Sequence, residues 1–152
     1  MTEARNFRNN AAFTMPKDSL HKVVLHNRDG NNTFGFTRQT EFSDEITIIT
    51  REGKDQTVPL SQLKAVFFVR DFKGDPQYQA VQFLNKAPMS EKLLARVRFA
   101  DGEVIEGRVN NGVGLLIETG FYLWPSDPED NNIGIFIPKS AIADFSILAA
   151  DH

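Results

Sequence analysis

The sequence predicts a mostly β protein in which two small five-stranded barrels follow one another along the chain. The first reason is a repeated frame of Asp-Gly, four residues and Gly, present as DGNNTFG (29–35) and as DGEVIEG (101–107). The second is that VPLSQLKAVFF (58–68) aligns with IPKSAIADFSI (137–147). Because two separate frames recur in the same order, we interpret the chain as an internal duplication.

The first copy is predicted to contain five short strands. Alternating apolar residues predict a strand before Asp29-Gly30, a favoured turn dipeptide. The second strand contains Gly35, and an interior glycine often marks a bend where a strand changes sheets. We expect strands at residues 20–28, 33–39, 45–52, 56–60 and 64–72, with a single turn at 61–63. Closure into a barrel follows because strands this short leave exposed edges, which a barrel removes.

The second copy repeats this plan after a connector. Asp75 and Pro76 favour the start of a short helix in that connector. In the second copy Gly107 takes the place of Gly35, and GVGLLIETG (112–120) is predicted as the third strand. About seven extra residues fall in YLWPSDPEDNN (122–132). The predicted organisation is an N-terminal arm at 1–20, a first barrel at 21–72, the connector at 73–92, a second barrel at 93–148 and a tail at 149–152.

Composition excludes several classes of function. The formal net charge is −3, whereas proteins that bind nucleic acids through phosphates normally present a basic face. Cysteine is absent, which excludes disulfides, a thiolate nucleophile and cysteine-ligated metal centres. The start MTEARNFRNNAAF lacks the apolar run of a signal peptide, and no stretch approaches the roughly 20 apolar residues of a membrane span. We expect a cytoplasmic protein, with a peripheral position at the inner membrane as the second location.

Candidate catalytic and metal-binding residues are few. His21 and His26 lie five residues apart on one strand and so point to opposite faces, which argues against a shared metal ion. Asp29 and Asp101 recur, but Asp-Gly is ordinary turn chemistry. The acidic segment 126–132 lacks the ligand spacing of a calcium loop and favours a solvated turn. With no Gly-x-Ser-x-Gly motif and no glycine-rich phosphate loop, we expect neither an enzyme nor a cofactor.

Recognition by surface contact is the remaining role, and three segments are candidates for it. The arm is predicted either to be disordered or to order on a partner, through arginine and aromatic anchors. The aromatic residues of GFYLWPSDP (120–128) are predicted either to contact the first barrel or to bind a partner. The segment VRDF (69–72) is likewise predicted either to lie at the seam between the two barrels or to bind a partner. The candidate partner-binding residues are Arg5, Phe7, Arg8, Phe13, Arg70, Phe72, Tyr122, Trp124 and Pro125.

The chain resembles two kinds of known protein. An apolar strand, Asp-Gly, a bent strand with glycine and a short turn before the fifth strand resemble the small Sm-like or SH3-like barrel. Residues 58–72, VPLSQLKAVFFVRDF, also resemble an uncharacterised bacterial family in which this motif precedes a second Asp-Gly barrel. That resemblance covers residues 20–148 and implies a fold. Sm proteins that bind RNA carry a polar loop and an Arg-Gly pair, where this chain has FSDEIT and PLSQLK.

Together these observations predict a non-catalytic protein-binding module, an accessory or scaffold subunit of a larger bacterial assembly. One version of the prediction docks the protein peripherally on the cytoplasmic face of a membrane complex. A nucleic-acid or nucleotide-binding regulatory protein on an Sm-like scaffold is the alternative, and the acidic charge balance argues against it. The expected partners are therefore proteins, and the expected mechanism is burial of surface without chemistry.

Overall fold

The computed structural model describes residues 14–73, 92–127 and 129–150 of the chain. Within these ranges the protein is mostly β, with ten strands, one short α-helix and two antiparallel sheets. The all-β class predicted from the alternating apolar residues is confirmed. The helix expected to begin at Asp75-Pro76 lies outside the described residues.

The strands of the first half follow the predicted order. They are β1 (His21–Asn27), β2 (Asn32–Thr37), β3 (Glu45–Thr50), β4 (Asp55–Pro59) and β5 (Leu63–Val69), with a 3-10 turn at Leu60–Gln62 before β5. The second half contains β6 (Lys92–Phe99), β7 (Val104–Asn110), the helix α1 (Gly114–Ile117), β8 (Gly120–Leu123), β9 (Asn132–Pro138), a 3-10 turn at Lys139–Ala141 and β10 (Ile142–Ala150).

The two halves arrange their strands in the same order. The seven-stranded sheet runs β4-β3-β2-β1-β5-β9-β8, and the three-stranded sheet runs β10-β6-β7. Arg108 of β7 and Trp124, directly after β8, link the sheets through two backbone hydrogen bonds of 2.8 Å each. The order of neighbours is therefore β4-β3-β2-β1-β5 in the first half and β9-β8-β7-β6-β10 in the second.

Neither sheet closes into a barrel within the described part of the chain. The outer edge of β5, which would meet β4 in a closed five-stranded barrel, pairs instead with β9 of the second half. In that antiparallel pair Val66 lies opposite Phe136 and Phe67 lies opposite Ile135. The closed barrels predicted from the sequence are thus replaced by open units that share a sheet, because β9 satisfies an edge that closure was expected to remove.

The two Asp-Gly frames form turns of the same geometry. Gly30 and Gly102 adopt φ of 96° and 95°, a backbone region that glycine enters without steric cost. The Asp29 carboxylate accepts a hydrogen bond from the Asn31 N–H at 2.9 Å, and the Asp101 carboxylate accepts one from the Glu103 N–H at 2.9 Å. The recurrence of the two aspartates is therefore explained by turn chemistry.

A close approach of strands explains the second glycine of each frame. A Cβ atom at Gly35 would lie 2.6 Å from the Ile49 carbonyl oxygen of β3. A Cβ atom at Gly107 would lie 2.4 Å from Leu123 Cδ2 of β8 and 2.7 Å from the Trp124 carbonyl oxygen. In both halves the second strand therefore crosses its neighbour at a distance that excludes any larger side chain.

A single helical turn replaces the third strand that the sequence predicts at residues 112–120. The turn is α1, closed by a hydrogen bond of 3.0 Å from the Glu118 N–H to the Gly114 carbonyl oxygen, and the strand β8 begins only at Gly120. The two glycines at the start of this segment weaken its strand propensity. An apolar run that reads as a strand therefore becomes a short helix at the surface.

Each half contributes side chains to the core of the other. The first core contains buried residues of β1, β3 and β5 and also Trp124 and Phe136 from the second half. The second core contains Val97, Val109 and Ile137 of the second half and Ala65 from β5. Burial of these shared side chains couples the two halves, since apolar surface removed from water is the main stabilising contribution to folding.

Candidate interaction surface

Three large apolar side chains project from the surface at α1. Val113, Leu116 and Ile117 are 68%, 79% and 69% exposed, and we call this group the apolar turn. Leu115, between them, points inward and packs against the second core. Scattered exposed apolar residues are ordinary, but adjacent ones on one turn form a patch of the kind that marks interaction sites.

The apolar turn is held in place by contacts with both halves. The Lys139 ammonium donates a hydrogen bond to the Leu116 carbonyl oxygen at 3.1 Å. Thr119, just after the helix, donates through its hydroxyl to the Ser43 carbonyl oxygen of the first half at 3.2 Å. The exposed side chains therefore sit on a positioned backbone, which lowers the entropic cost of binding through them.

A cleft of about 430 Å³ lies beside the apolar turn. Its lining comes from both halves, with Thr40, Glu41 and Phe42 on one side and Leu115, Glu118, Phe121, Tyr122 and Phe136 on the other. The aromatic rings give it an apolar wall, and the exposed Glu118 adds negative charge, whereas Glu41 is paired with Lys17 at 3.2 Å. A cleft with these properties suits a bulky apolar group that carries a positive charge nearby.

Tyr122 lines the cleft and joins the two halves. Its hydroxyl donates a hydrogen bond of 2.6 Å to the Thr40 carbonyl oxygen. Burial, together with the negative charge of Glu41, raises the pKa of the Tyr122 phenol well above its ordinary value. Tyr122 therefore stays neutral and serves as a hydrogen-bond donor, because a buried phenolate would lose its hydration.

The aromatic segment around Trp124 faces the first half. Trp124 is 6% exposed and stacks on Tyr122, with ring centroids 5.1 Å apart. A Cβ atom at Gly134 would lie 2.6 Å from the indole, so the ring packs directly on the backbone of β9. Pro125 is half-buried. Contact with the first half is one of the two placements that the sequence left open, and a role of these residues in partner binding stays a prediction.

The structure places Arg70 between the halves. The Arg70 N–H donates to the Asn131 carbonyl oxygen at 2.9 Å, and its guanidinium donates to the Asp130 carbonyl oxygen at 3.1 Å. Arg70 thus ties the end of β5 to the segment that leads into β9. The seam is the position that the sequence offered as one alternative for this residue.

Phe72 packs on the outer face of the first half. Its ring meets Phe34 and Phe36 edge-on at 5.8 and 5.4 Å, and the Arg51 guanidinium lies 5.5 Å from its centre. The predicted anchors of the arm, Arg5, Phe7, Arg8 and Phe13, lie outside the described residues. The structure therefore brings Tyr122 and Trp124 together, but it places Arg70 and Phe72 in separate contacts.

A model of the family of unknown function named DUF6982 matches residues 19–149. The chain belongs to the DUF6982 family. None of the curated proteins and none of the solved structures matches it. The DUF6982 match spans both halves, the apolar turn and all but the last residue of β10. The resemblance to an uncharacterised family that the sequence suggested is confirmed at this level.

Sequence reasoning missed a charged cluster in this DUF6982 protein. The Lys64 ammonium on β5 lies 2.8 Å from the Asp101 carboxylate, contacts the Glu103 carboxylate and sits 4.8 Å from the centre of the Phe99 ring. Burial alone would lower the pKa of Lys64, but the hydrogen bonds to Asp101 and Glu103 outweigh it and raise the pKa. No local pattern signals this cluster, because Lys64 is more than thirty residues from the other members in sequence.

The apolar turn was also missed, for a different reason. A short apolar run such as GLLI fits a strand as well as a helix, and length alone does not separate them. The signal that favours a turn here is the pair Gly112 and Gly114, which interrupts the run. In the described ranges no group of three or more His, Asp or Glu side chains is arranged to hold a metal ion. None of the helices described is long and apolar enough to cross a membrane.

Proposed function

We propose that this DUF6982 protein is a non-catalytic protein-binding module, an accessory or scaffold subunit of a larger assembly, and that it docks its partner on the apolar turn. The observation that carries the proposal is the exposure of Val113, Leu116 and Ile117 on a positioned backbone. Covering a side chain of this size is worth about 1.5–3 kcal/mol. Three of them on one turn therefore provide a compact source of binding free energy.

The chemistry of the neighbouring cleft specifies the kind of partner. Its aromatic wall suits a bulky apolar side chain, and the carboxylate of Glu118 favours a lysine or arginine next to it. The proposed partner is therefore a protein segment that presents an apolar residue beside a basic one. Opposite charges of this sort add specificity and speed of association more than they add affinity.

In this proposal the two halves are copies of one Sm-like or SH3-like unit. Three likenesses support the duplication: the common strand order, the matching Asp-Gly turns, and the 3-10 turns that follow Pro59 and Pro138. The two prolines have nearly the same backbone angles, with φ and ψ of −64° and 137° at Pro59 and of −65° and 132° at Pro138. The second copy carries the apolar turn between β7 and β8, where the first has the segment between β2 and β3.

The proposal places the protein in the cytoplasm, either free or docked peripherally on a membrane complex. Full-length tagged protein, a Leu116→Asp variant and a Leu20→Asp control would be used to capture partners from soluble and detergent-solubilised membrane fractions of the native cell. Leu20 is a matched control because it is also an exposed leucine, at 47% exposure. A photo-reactive amino acid at position 116 identifies the protein that touches the apolar turn.

A protein crosslinked at position 116 whose capture falls about tenfold or more in Leu116→Asp, and not in Leu20→Asp, is the expected result. Equal capture by all three proteins would remove the apolar turn as the docking surface. Recovery of nucleic acid in place of a protein, with retention that falls steeply with salt, would overturn the function itself and favour the nucleic-acid alternative.

A further inference from the structure

The last strand, β10, presents a long outer edge. It has nine residues and pairs on one side with β6. In the described ranges no strand pairs with its other side, and Ile147 and Leu148 on this strand are 45% and 37% exposed. An exposed edge of this length and apolarity offers unpaired backbone N–H and C=O groups to another strand.

The corresponding strand of the first half shows what such an edge accepts. β5 is the last strand of its half, as β10 is of the second, and each follows a proline and a 3-10 turn. The outer edge of β5 is covered by β9, with Val66 opposite Phe136 and Phe68 opposite Gly134. Within the chain, the last strand of one half, β5, therefore already pairs with β9, the strand before the 3-10 turn of the other half.

The partner strand in this arrangement also has a counterpart with an uncovered edge. β9 corresponds to β4, because both end at the proline before a 3-10 turn. β4 pairs with β3 on one side and ends the seven-stranded sheet, so no described strand pairs with its other side. β4 therefore corresponds to β9, and β10 corresponds to β5. β9 and β5 pair with each other within the chain, whereas β4 and β10 each have one edge that no described strand covers.

We propose that β10 of one copy pairs antiparallel with β4 of a second copy of this chain. The alignment of Pro59 with Pro138 fixes the register, since the β5–β9 pairing carried over to these strands sets Ser146 opposite Gln56 and Phe145 opposite Thr57. The two strands occupy edges of different sheets within one copy. The contact is therefore head-to-tail, and repetition of it gives a ring or a filament. This inference rests on the correspondence of the two halves and not on the proposed docking role, since it uses neither the apolar turn nor the cleft.

The absence of cysteine allows a clean test with the full-length chain. Ser146→Cys protein and Gln56→Cys protein would be mixed, oxidised and run on a non-reducing gel. Residues directly opposite in an antiparallel pair have Cα atoms about 4.5–5.5 Å apart, which lies within the span of a disulfide. A heterodimer of about twice the monomer mass of 17.1 kDa is the expected product. The matched control replaces Gln56→Cys with Gln62→Cys, an exposed position outside β4.

Each other outcome overturns the proposal. Ser146→Cys protein that crosslinks to itself shows that β10 pairs with β10. Equal crosslinking to Gln62→Cys shows unspecific collision. Absence of any crosslink, with a monomer at every concentration in sedimentation, shows that β10 and β4 of two copies do not pair. In the wild-type background Ile147→Lys should abolish self-association, because a lysine on an edge blocks pairing, whereas Leu116→Lys should leave it unchanged.

Discussion

At the scale of single residues, Lys64 shows how charge ties the two halves together. Its side chain is 14% exposed and reaches from β5 to the turn between β6 and β7. The ion pair lowers the pKa of Asp101, chiefly through the hydrogen bond from Lys64. Exposed ion pairs contribute little to stability, but a cation that is mostly covered by the protein is less screened by salt.

The shifted pKa values predict how the stability supplied by Lys64 depends on pH. Because the pKa of Asp101 is lowered by folding, its contribution is present above its ordinary value of 3.8 and is lost as the pH falls through the folded value. The pKa of Lys64 is raised, so its contribution is present below its ordinary value of 10.5 and is lost as the pH rises through the folded value. Between these limits both charges are present in the folded protein.

We therefore predict that Lys64→Met lowers the free energy of unfolding at neutral pH and that this loss shrinks in acid. Urea unfolding of both proteins between about pH 7 and about pH 2 measures the difference. Lys17→Met is the control, because the Lys17–Glu41 pair is exposed on both sides, at 72% and 80%. A Lys64→Met effect that is independent of pH would show that packing on Phe99, and not charge, is what Lys64 supplies.

At the scale of elements, the alternation of apolar residues and the Asp-Gly dipeptides predicted the five strands of the first half, because these signals are local. β8 was not predicted, since residues 120–123 were divided between a predicted third strand and the segment after it. The pairing of β5 with β9 was not predictable, because both strands are apolar enough to be buried and nothing in either specifies its neighbour. The helix α1 and the apolar turn that it carries were not predicted, because so short an apolar run shows no helical or strand period.

The contact between β7 and β8 predicts an asymmetric response to alanine at two glycines. Gly107→Ala would place a methyl group against Leu123 and the Trp124 carbonyl oxygen, and backbone cannot yield as a side chain can. We expect a loss of about 1–3 kcal/mol in the free energy of unfolding, typical of overpacking. Gly112→Ala, where a Cβ meets nothing within 4 Å, should change it by less than about 0.5 kcal/mol.

Urea denaturation of the two variants and the wild type measures this difference. The fluorescence of Trp124 reports the same contact directly, since its backbone bonds to Arg108 beside Gly107. Gly107→Ala should shift the emission as the indole becomes less buried, whereas Gly112→Ala should not. Equal stability of the two variants would mean that β7 and β8 can separate without cost and that the link between the sheets contributes little.

At the scale of the whole molecule, the shared cores make the two halves depend on each other. Trp124 and Phe136 fill the core of the first half, and Ala65 fills that of the second. The backbone edge of β5 is satisfied by β9. A half taken alone would expose these apolar side chains and leave one strand edge unpaired, and units of this size have little stability to spare.

We therefore predict that residues 1–73 and residues 92–152, produced separately, do not unfold cooperatively, whereas the full chain unfolds in one transition. Circular dichroism and Trp124 fluorescence should give the same midpoint for the full chain, because both cores are lost together. Mixing the two fragments should restore strand signal and bury Trp124, since β5 then regains β9 and the first core regains Phe136. Cooperative unfolding of residues 1–73 alone would show instead that the first half is an independent domain and that its folding does not require the contact with β9.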